Sequence, residues 1–133
     1  MKYLLIRQVC GFDVIKAVID LTVGEKPHVV LKEPKAKYIV NDFIYCYPGI
    51  FDRLEGFEEM RQEGVLADYH AIRPRGMTIK GVTSSSDRIA GITVTADSVE
   101  EFNEKHRRIV TAVKILDCDG RDIMRHDLLP DLR

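Results

Sequence analysis

Two helix-forming segments enclose a strand-rich middle region, and this order limits the folds that are open to the chain. Residues 12–23 carry apolar side chains at helical spacing, and Gly24 follows them as an expected helix end. The second helix is predicted to begin at Asp97 and Glu100, which have capping-box spacing, and its apolar stripe extends to Leu116. Short strands between two such helices predict an α+β fold with an antiparallel sheet.

Runs of β-branched and aromatic residues in the middle region predict strands that are joined by tight turns. The turn signals are Pro48-Gly49 and Pro74-Arg75-Gly76, and each is expected to close a hairpin. The expected hairpins join strand 38–47 to 50–54 and strand 65–72 to 77–82. The other expected elements are a helix at 57–62 and strands at 89–95 and 121–124. The two main helices are expected to pack on a sheet made mainly of hairpins.

The length predicts how the chain is organised. At 133 residues and 15.2 kDa it is expected to form a single domain, residues 1–133, whose core requires neither metal nor disulfide. Helical spacing on the two main helices predicts which of their side chains are buried in the core or in an interface. These side chains are Phe12, Ile15, Ile19, Phe102, Ile109 and Val113.

The cysteines and the apolar segments predict the cellular compartment. Cys10, Cys46 and Cys118 are widely spaced and form no CxxC or Cys/His pattern, so reduced thiols are expected. The apolar stretches are too short to cross a bilayer, and the first residues do not form a convincing signal peptide. Together these features predict a cytoplasmic protein.

The charge balance limits the partners that the chain can bind. Its 20 basic and 21 acidic side chains give a formal net charge of -1. General electrostatic binding to nucleic acid or to a membrane requires an uncompensated positive surface. We therefore expect no nucleic-acid partner and no membrane partner, although a local basic patch is compatible with this balance.

A polar loop between two apolar segments is the first candidate binding site. Ser85, Ser86, Asp87 and Arg88 bring hydroxyls, a carboxylate and a guanidinium together. Arg88 can hold a carboxylate or another anion with two parallel hydrogen bonds, so we predict that this loop binds substrate. The alternative is a serine-rich turn in which Asp87 and Arg88 only order the loop.

Two guanidiniums around the turn at Pro74 form the second candidate site. Arg73 and Arg75 can bind phosphate or carboxylate, but exposed arginines at a hairpin tip are also common. No histidine spacing suits a metal, and the chain has no glycine-rich phosphate loop, no GxSxG motif and no local cysteine-nucleophile signature. From the residues alone, no catalytic residue, cofactor-binding residue or metal ligand is predicted.

Segments in a defined order resemble the carboxy-terminal part of the ATP-grasp ligases, the group of biotin carboxylase, carbamoyl phosphate synthetase and L-amino-acid ligase. A family helix has the pattern G-hydrophobic-D-hydrophobic-hydrophobic-K, followed by G-x-x-P. Similar residues here are Gly11-Phe12-Asp13-Val14-Ile15-Lys16 and Gly24-Glu25-Lys26-Pro27. Residues 84–117 resemble the family's loop, strand and capped helix, and residues 49–65 resemble the amino-acid ligase pattern. The resemblance extends from about residue 10 to residue 117.

The resemblance implies a lid-like terminal domain of an ATP-dependent carboxylate–amine or carboxylate–thiol ligase, or of a carboxylase-like enzyme. In complete members, a glycine-rich loop, lysines and a hinge hold ATP, and a glutamate with an E-x-N pair holds magnesium. These residues lie upstream of the resembling helix and are absent here, so ATP and magnesium are implied only for a complete ligase. The resemblance places the loop of Asp87 and Arg88 on the acceptor-substrate side.

Two hypotheses about function follow. In the first, the chain is part of such a ligase, is not catalytic alone, and requires the missing ATP-grasp core as a domain or subunit. In the second, it is a stand-alone binding or interaction module that reuses the fold. The wide apolar face of the Phe12–Val23 helix favours the first, because in the family this helix rests against the core. An exposed face of this kind also predicts a homodimer, or a complex with the missing half, through Phe12–Val23; the alternative is that residues 1–6 fold back and cover the same face.

Overall fold

The computed structural model describes residues 2–34 and 36–129, and the helices and strands of these residues confirm the α+β class. In chain order the elements are α1 (Lys2–Cys10), α2 (Val14–Thr22), β1 (Tyr38–Ile44), β2 (Gly49–Glu55), α3 (Phe57–Gln62), β3 (Asp68–Ala71), β4 (Thr78–Ile79), β5 (Ala90–Ala96), α4 (Val99–Ala112) and β6 (Lys114–Asp117). Among the described residues the strands form two antiparallel sheets, in the orders β1-β5-β3 and β4-β2-β6.

The pairing of the strands differs from the expected hairpins. Strand β1 pairs with β5 along its whole length, from Tyr38 opposite Ala96 to Ile44 opposite Ala90. Strand β2 pairs instead with β4 and β6, and β3 pairs with the other edge of β5. Neither expected hairpin is formed, because its two strands belong to different sheets. Nearly all residues of β5 are buried, so this strand requires cover on both faces and takes the central position.

Helix α2 is shorter than the predicted segment 12–23 because Asp13 caps its start. The Oδ1 atom of Asp13 accepts a hydrogen bond from the backbone N–H of Lys16 at 2.9 Å. Phe12 therefore precedes the helix. Helix α1, which packs beside α2 and β1, was not among the expected elements.

The expected capping pair of helix α4 was Asp97 and Glu100. In the structure the helix begins one residue later, with Ser98 as its cap. The hydroxyl of Ser98 accepts a hydrogen bond from the backbone N–H of Glu101 at 3.1 Å. In return, Oε2 of Glu101 accepts one from the backbone N–H of Asp97 at 2.9 Å. Ser98 is thus the cap of α4, and Glu101 binds the N–H of the residue before the cap rather than that of the cap itself.

The carboxy-terminal end of α4 also differs from the prediction. The helix ends at Ala112 rather than near Leu116, because the apolar residues after it pair with β2 as strand β6. The expected turn at 117–120 is formed, and the Oδ1 atom of Asp117 accepts hydrogen bonds from the backbone N–H groups of Asp119 and Arg121. The expected strand 121–124 is reduced to two isolated bridges, Cys46 with Met124 and Leu116 with Asp122.

The hydrophobic core lies between the two sheets, α3 and α4, within residues 44–129. Phe102, Ile109 and Val113 are fully buried there, as predicted. The expected core position of Ile15 and Ile19 is wrong, because these side chains are 47% and 57% exposed; their place in an interface stays a prediction. No helix among the described residues is long and apolar enough to cross a membrane.

Candidate functional site

Residues 83–88 form a closed polar loop in front of β5, and the carboxylate of Asp87 orders it. Oδ2 of Asp87 accepts hydrogen bonds from the backbone N–H groups of Thr83 at 2.8 Å and Ser84 at 2.9 Å, and from the Thr83 hydroxyl at 2.9 Å. These bonds, the one from the Thr83 N–H first, hold the pKa of Asp87 below its ordinary value. The Asp87 carboxylate is therefore occupied by hydrogen bonds within the loop. This agrees with the alternative in which Asp87 orders the loop.

The two candidate serines lie on the exposed side of the same loop. Ser85 and Ser86 begin a single turn of 3-10 helix that is capped by Ser84. The hydroxyl of Ser84 accepts a hydrogen bond from the backbone N–H of Ser86 at 3.2 Å and lies 2.9 Å from the Ser86 hydroxyl. Both candidate side chains are exposed, so they can meet a ligand without a change in the loop.

Arg73 joins this loop from the end of β3. Its Nε donates a hydrogen bond to the carbonyl oxygen of Arg88 at 3.3 Å, and its Nη2 donates one to the carbonyl oxygen of Ser86. Its charge also contributes to the lowered pKa of Asp87. The guanidinium thus fixes the loop to the neighbouring strand and adds a positive charge beside it.

Arg88 packs on an aromatic ring of the adjacent strand. The guanidinium carbon lies 3.9 Å from the centroid of the Phe43 ring in β1, a cation–π geometry. The Nε atom of Arg88 is shielded from solvent and has no hydrogen-bond partner among the described residues. The stacking restricts the orientation of the guanidinium plane.

Arg75 does not meet the other candidate residues. Its Nε donates a hydrogen bond to Oδ1 of Asp52 on β2 at 2.6 Å, while Arg53 bonds the second oxygen of the same carboxylate at 2.9 Å. The hydrogen bond from Arg75, followed by that from Arg53, lowers the pKa of Asp52. The guanidiniums of Arg73 and Arg75 therefore do not converge on one ligand, because a carboxylate on β2 holds Arg75.

A small cavity of about 170 Å³ lies beside the loop. Arg73 and Lys80 bring positive charge to its wall, and Asp87 brings negative charge. The loop and Arg73, which the sequence indicated as parts of two separate candidate sites, lie together beside this cavity. It can hold a small polar group, with Arg73 and Lys80 available to an anion.

A larger cleft, of about 640 Å³, was not predicted. It lies between α1, the segment that contributes Lys32, Glu33 and Ala36, β5 and the start of α4, and both charge signs line it. The cations are Arg7, Lys32 and Lys105, and the anions are Glu33, Asp97 and Glu101. Sequence reasoning missed this cleft because distant segments assemble it. The only local signal was the four-residue spacing of Glu101 and Lys105.

Contacts within the chain hold Lys105 and Glu101 in the wall of this cleft. Nζ of Lys105 lies 2.9 Å from Oε1 of Glu101 and donates a hydrogen bond to the carbonyl oxygen of Thr95 at 2.8 Å. The backbone N–H of Asp97, followed by Lys105, lowers the pKa of Glu101. Oε1 of Gln8 is shielded from solvent and accepts no hydrogen bond from the described residues. The cleft thus suits a polar ligand that carries a hydrogen-bond donor.

Comparison with known proteins gives matches in structure. No protein-family model and no curated protein matches the chain. A phosphoribosylglycinamide synthetase from Anaerococcus prevotii matches with a TM-score of 0.67 and 16% identity, over 86% of this chain and 30% of that chain. An L-amino acid ligase from Bacillus licheniformis matches with a TM-score of 0.62 and 18% identity, over 86% of this chain and 29% of that chain.

At these identities the likeness concerns the fold alone. The chain spans less than a third of the length of either enzyme. It therefore corresponds to one part of each larger protein. The fold of this chain is therefore similar to that of one part of a phosphoribosylglycinamide synthetase and of one part of an L-amino acid ligase.

Proposed function

We propose that this chain is the terminal, substrate-side part of an ATP-dependent carboxylate–amine or carboxylate–thiol ligase, or of a carboxylase-like enzyme, and is not catalytic alone. One observation carries the proposal: 86% of the chain matches about 30% of two larger enzymes that are named as a synthetase and a ligase. The order of the sequence motifs around residues 11–27 and 84–117 supports it independently.

The chain's own residues do not fit the ATP and magnesium that such a ligase uses. Its sequence has no glycine-rich phosphate loop that could cradle a triphosphate. Within residues 2–34 and 36–129, no group of three or more His, Cys, Asp or Glu side chains is placed to hold a metal ion. We therefore propose that a further domain or subunit, the ATP-grasp core, supplies the nucleotide and magnesium sites.

The contribution of this chain is proposed to be contact with the acceptor substrate. Arg88, oriented by its stacking on Phe43, and Arg73 next to it supply positive charge for a carboxylate or phosphate group. The exposed hydroxyls of Ser85 and Ser86 supply hydrogen bonds on the same loop. Arg75, which is bound to Asp52, would act outside this contact.

The surface of α2 is proposed as an interface. Its large apolar side chains stand exposed, and such a surface is expected to be covered by another polypeptide. The ATP-grasp core and a second copy of this chain are the two occupants that the sequence led us to expect. The unpaired cysteines are in keeping with a cytoplasmic setting for such an assembly.

Reconstitution of the ligase tests this proposal. The reading frames next to the gene of this chain are searched for an ATP-grasp core, and its product is expressed alone and together with this chain. ADP release is then measured with magnesium, ATP and panels of carboxylates, amines and thiols. We expect release that depends on both polypeptides and on an acceptor, and no heat when Mg-ATP is titrated into this chain alone.

The controls separate the ligase proposal from its alternative. Substitution Arg88→Ala should reduce acceptor-dependent ADP release in the complex, whereas Arg121→Ala, at an exposed arginine in the turn after β6, should leave it unchanged. Saturable binding of Mg-ATP at micromolar concentration by this chain alone would contradict the proposal. So would full activity of the core without this chain.

A stand-alone binding module is the second candidate function. The mixed-charge cleft of about 640 Å³ favours it, because its volume suits a small ligand and Oε1 of Gln8 in its wall accepts no hydrogen bond from the described residues. In this case a small polar ligand should bind the isolated chain, and Lys105→Ala should weaken that binding. Titration of the isolated chain with a panel of amino acids and small carboxylates distinguishes this function from the first.

A further inference from the structure

The cleft beside α1 carries charges of both signs, and a different sign predominates on each of its two walls. The wall of α1 and the segment after α2 contributes two cations and one anion, Arg7, Lys32 and Glu33. The wall at the end of β5 and the start of α4 contributes two anions and one cation, Asp97, Glu101 and Lys105. The charges of the described lining residues therefore balance, which suits a ligand with both charges better than a simple anion or cation.

Contacts within the chain hold Lys32 at the end of α1, on the positive wall. Its backbone N–H donates a hydrogen bond to the carbonyl oxygen of Cys10 at 2.8 Å. Its side-chain stem packs on Gly11, where a Cβ atom would lie 3.1 Å from Cδ of Lys32. Lys32 forms no ion pair with a described residue, whereas Nη1 of Arg7 lies 4.0 Å from Oδ2 of Asp13. Lys32 is therefore the cation most available to an anionic group in the cleft.

Asp97 supplies the negative charge that the other wall leaves uncompensated. Lys105 and Glu101 pair with each other at 2.9 Å, so their charges stabilise the wall itself. Oδ1 of Asp97 accepts a hydrogen bond from the backbone N–H of Lys37 at 3.4 Å, a long and therefore weak bond. Asp97 forms no ion pair with a described residue. Its carboxylate can therefore accept hydrogen bonds from an ammonium group of a ligand.

A shielded acceptor on the α1 wall requires a third group on the ligand. Oε1 of Gln8 is buried and accepts no hydrogen bond from the described residues. A buried acceptor without a partner costs free energy, because it has lost its bonds to water. An N–H group of the ligand would supply the missing bond. The contact thus calls for an uncharged donor in addition to the two charges.

The size of the cleft and these three groups identify a ligand class. A volume of about 640 Å³ is in the range of pockets that hold drug-sized molecules, which are larger than a single small amino acid. We propose that the cleft binds a short peptide with free ends. Lys32 binds its carboxylate, Asp97 binds its ammonium group, and a peptide N–H donates to Oε1 of Gln8. The proposal names the ligand of the stand-alone binding function and rests on that function, but it does not depend on the ligase function.

NMR titration of the isotope-labelled full chain with trialanine tests the proposal. Each end charge of the peptide is then removed separately, in N-acetyl-trialanine and in trialanine amide. Trialanine should shift the amide signals of Gly11 and Ala96, which line the cleft, and leave that of Gly120 unchanged. Each blocked peptide should bind at least about tenfold more weakly, because one charge in the cleft wall then lacks its partner.

Variants that remove one charge test which residue binds which end. In Asp97→Asn, trialanine and its acetylated form should bind equally, since the ammonium group has lost its partner. In Lys32→Met, which keeps an apolar stem on Gly11, trialanine and its amide should bind equally. Such coupling distinguishes direct pairing from a general effect on the fold. Asp119→Asn and Lys114→Met remove the same charges outside the cleft and should preserve the differences between the peptides.

Several outcomes would overturn the proposal. Trialanine that causes no shifts contradicts it, and so do shifts that spare the cleft. If the wild type binds trialanine and either blocked peptide equally, the cleft does not recognise both charges. Binding of a different small molecule in the cleft without a response to trialanine keeps the binding function and excludes the peptide. ADP release by a reconstituted ligase is measured separately, so its absence contradicts the ligase proposal alone.

Discussion

Gly56 lies so close to the backbone carbonyl of Ala112 that no side chain fits between them. A Cβ atom at position 56 would overlap the carbonyl oxygen of Ala112. Gly56 also has a φ of 82°, a conformation that residues with a side chain rarely adopt. It stands at the start of α3, and Ala112 ends α4, so this contact sets how the two helices meet.

The substitution Gly56→Ala is expected to destabilise the fold more than the same change at Gly64. Both glycines have positive φ, but nothing lies within 4 Å of a Cβ at Gly64. Gly64→Ala should therefore lower the free energy of unfolding by about 1–2 kcal/mol, the cost of the left-handed backbone alone. Gly56→Ala should cost at least about 3 kcal/mol, because a helix end must also move. Urea denaturation measures both, and equal losses would contradict the close contact.

Ile109→Ala tests the packing of α4 on the core. Ile109 is fully buried, and removal of its outer atoms leaves a cavity, so we expect a loss of about 2–5 kcal/mol in the free energy of unfolding. Val82→Ala, at an exposed position, is the control and should change it by less than about 0.5 kcal/mol. Chemical denaturation gives both values. A loss below about 0.5 kcal/mol for Ile109→Ala would show that α4 is not packed as described.

The local elements could be predicted from the sequence, whereas the pairing of the strands could not. Helix α3 occupies the predicted residues 57–62, because its local pattern and Gly64 determine its limits. The turn residues Pro48 and Gly49 suggested a hairpin, but a turn signal reports only a change of direction. Long-range burial decided the partners, since β5 has to be covered on both faces and β6 is apolar enough to join β2.

The same limit applies to the candidate site. The loop of Ser85, Ser86, Asp87 and Arg88 is contiguous in sequence, so its residues could be predicted to meet. Arg75 was grouped with Arg73 because they are neighbours in the chain, but Asp52 on β2 holds it elsewhere. The large cleft combines residues near positions 7, 33, 97 and 105, and no local pattern marks such a set.

Asp87 should make the stability of the protein depend on pH in the acidic range. The pKa of its carboxyl is lower in the folded state because the N–H groups of Thr83 and Ser84 and the Thr83 hydroxyl bind the charged form. The stabilisation is therefore complete above the unfolded pKa, about 3.9, and is lost as the pH falls through the lower folded value. Asp87→Asn should reduce stability at pH 7 and flatten the loss below about pH 4.

Thermal unfolding between about pH 7 and pH 2 measures this effect. The variant Asp119→Asn, at an exposed carboxylate outside the loop, is the control and should follow the wild type. If Asp87→Asn has the same acid dependence as the wild type, the hydrogen bonds to Asp87 do not order the loop.

The two thiols of Cys46 and Cys118 should differ in reactivity. Burial, with a smaller effect of Asp122, raises the pKa of Cys46 to about 12, whereas Cys118 is exposed. Because the thiolate is the reactive form, iodoacetamide at about pH 8 should label Cys118 and leave Cys46 unlabelled until the protein is unfolded. Peptide mass spectrometry with and without denaturant measures the labelling. Equal labelling of both cysteines in the native protein would contradict the described burial of Cys46.

The pairing of β2 with β6 determines when the second sheet can form during translation. Strand β2 (Gly49–Glu55) leaves the ribosome long before β6 (Lys114–Asp117). Until β6 has been synthesised, β2 cannot form its longer pairing, the one with β6. Among the strands of the described residues, only β4, with two residues, pairs with β2 and is made earlier than β6. Contacts between residues far apart in the chain form slowly because a long loop must first close. The second sheet is thus completed only after β6 has left the ribosome, and the newborn polypeptide carries an unpaired strand edge until that moment.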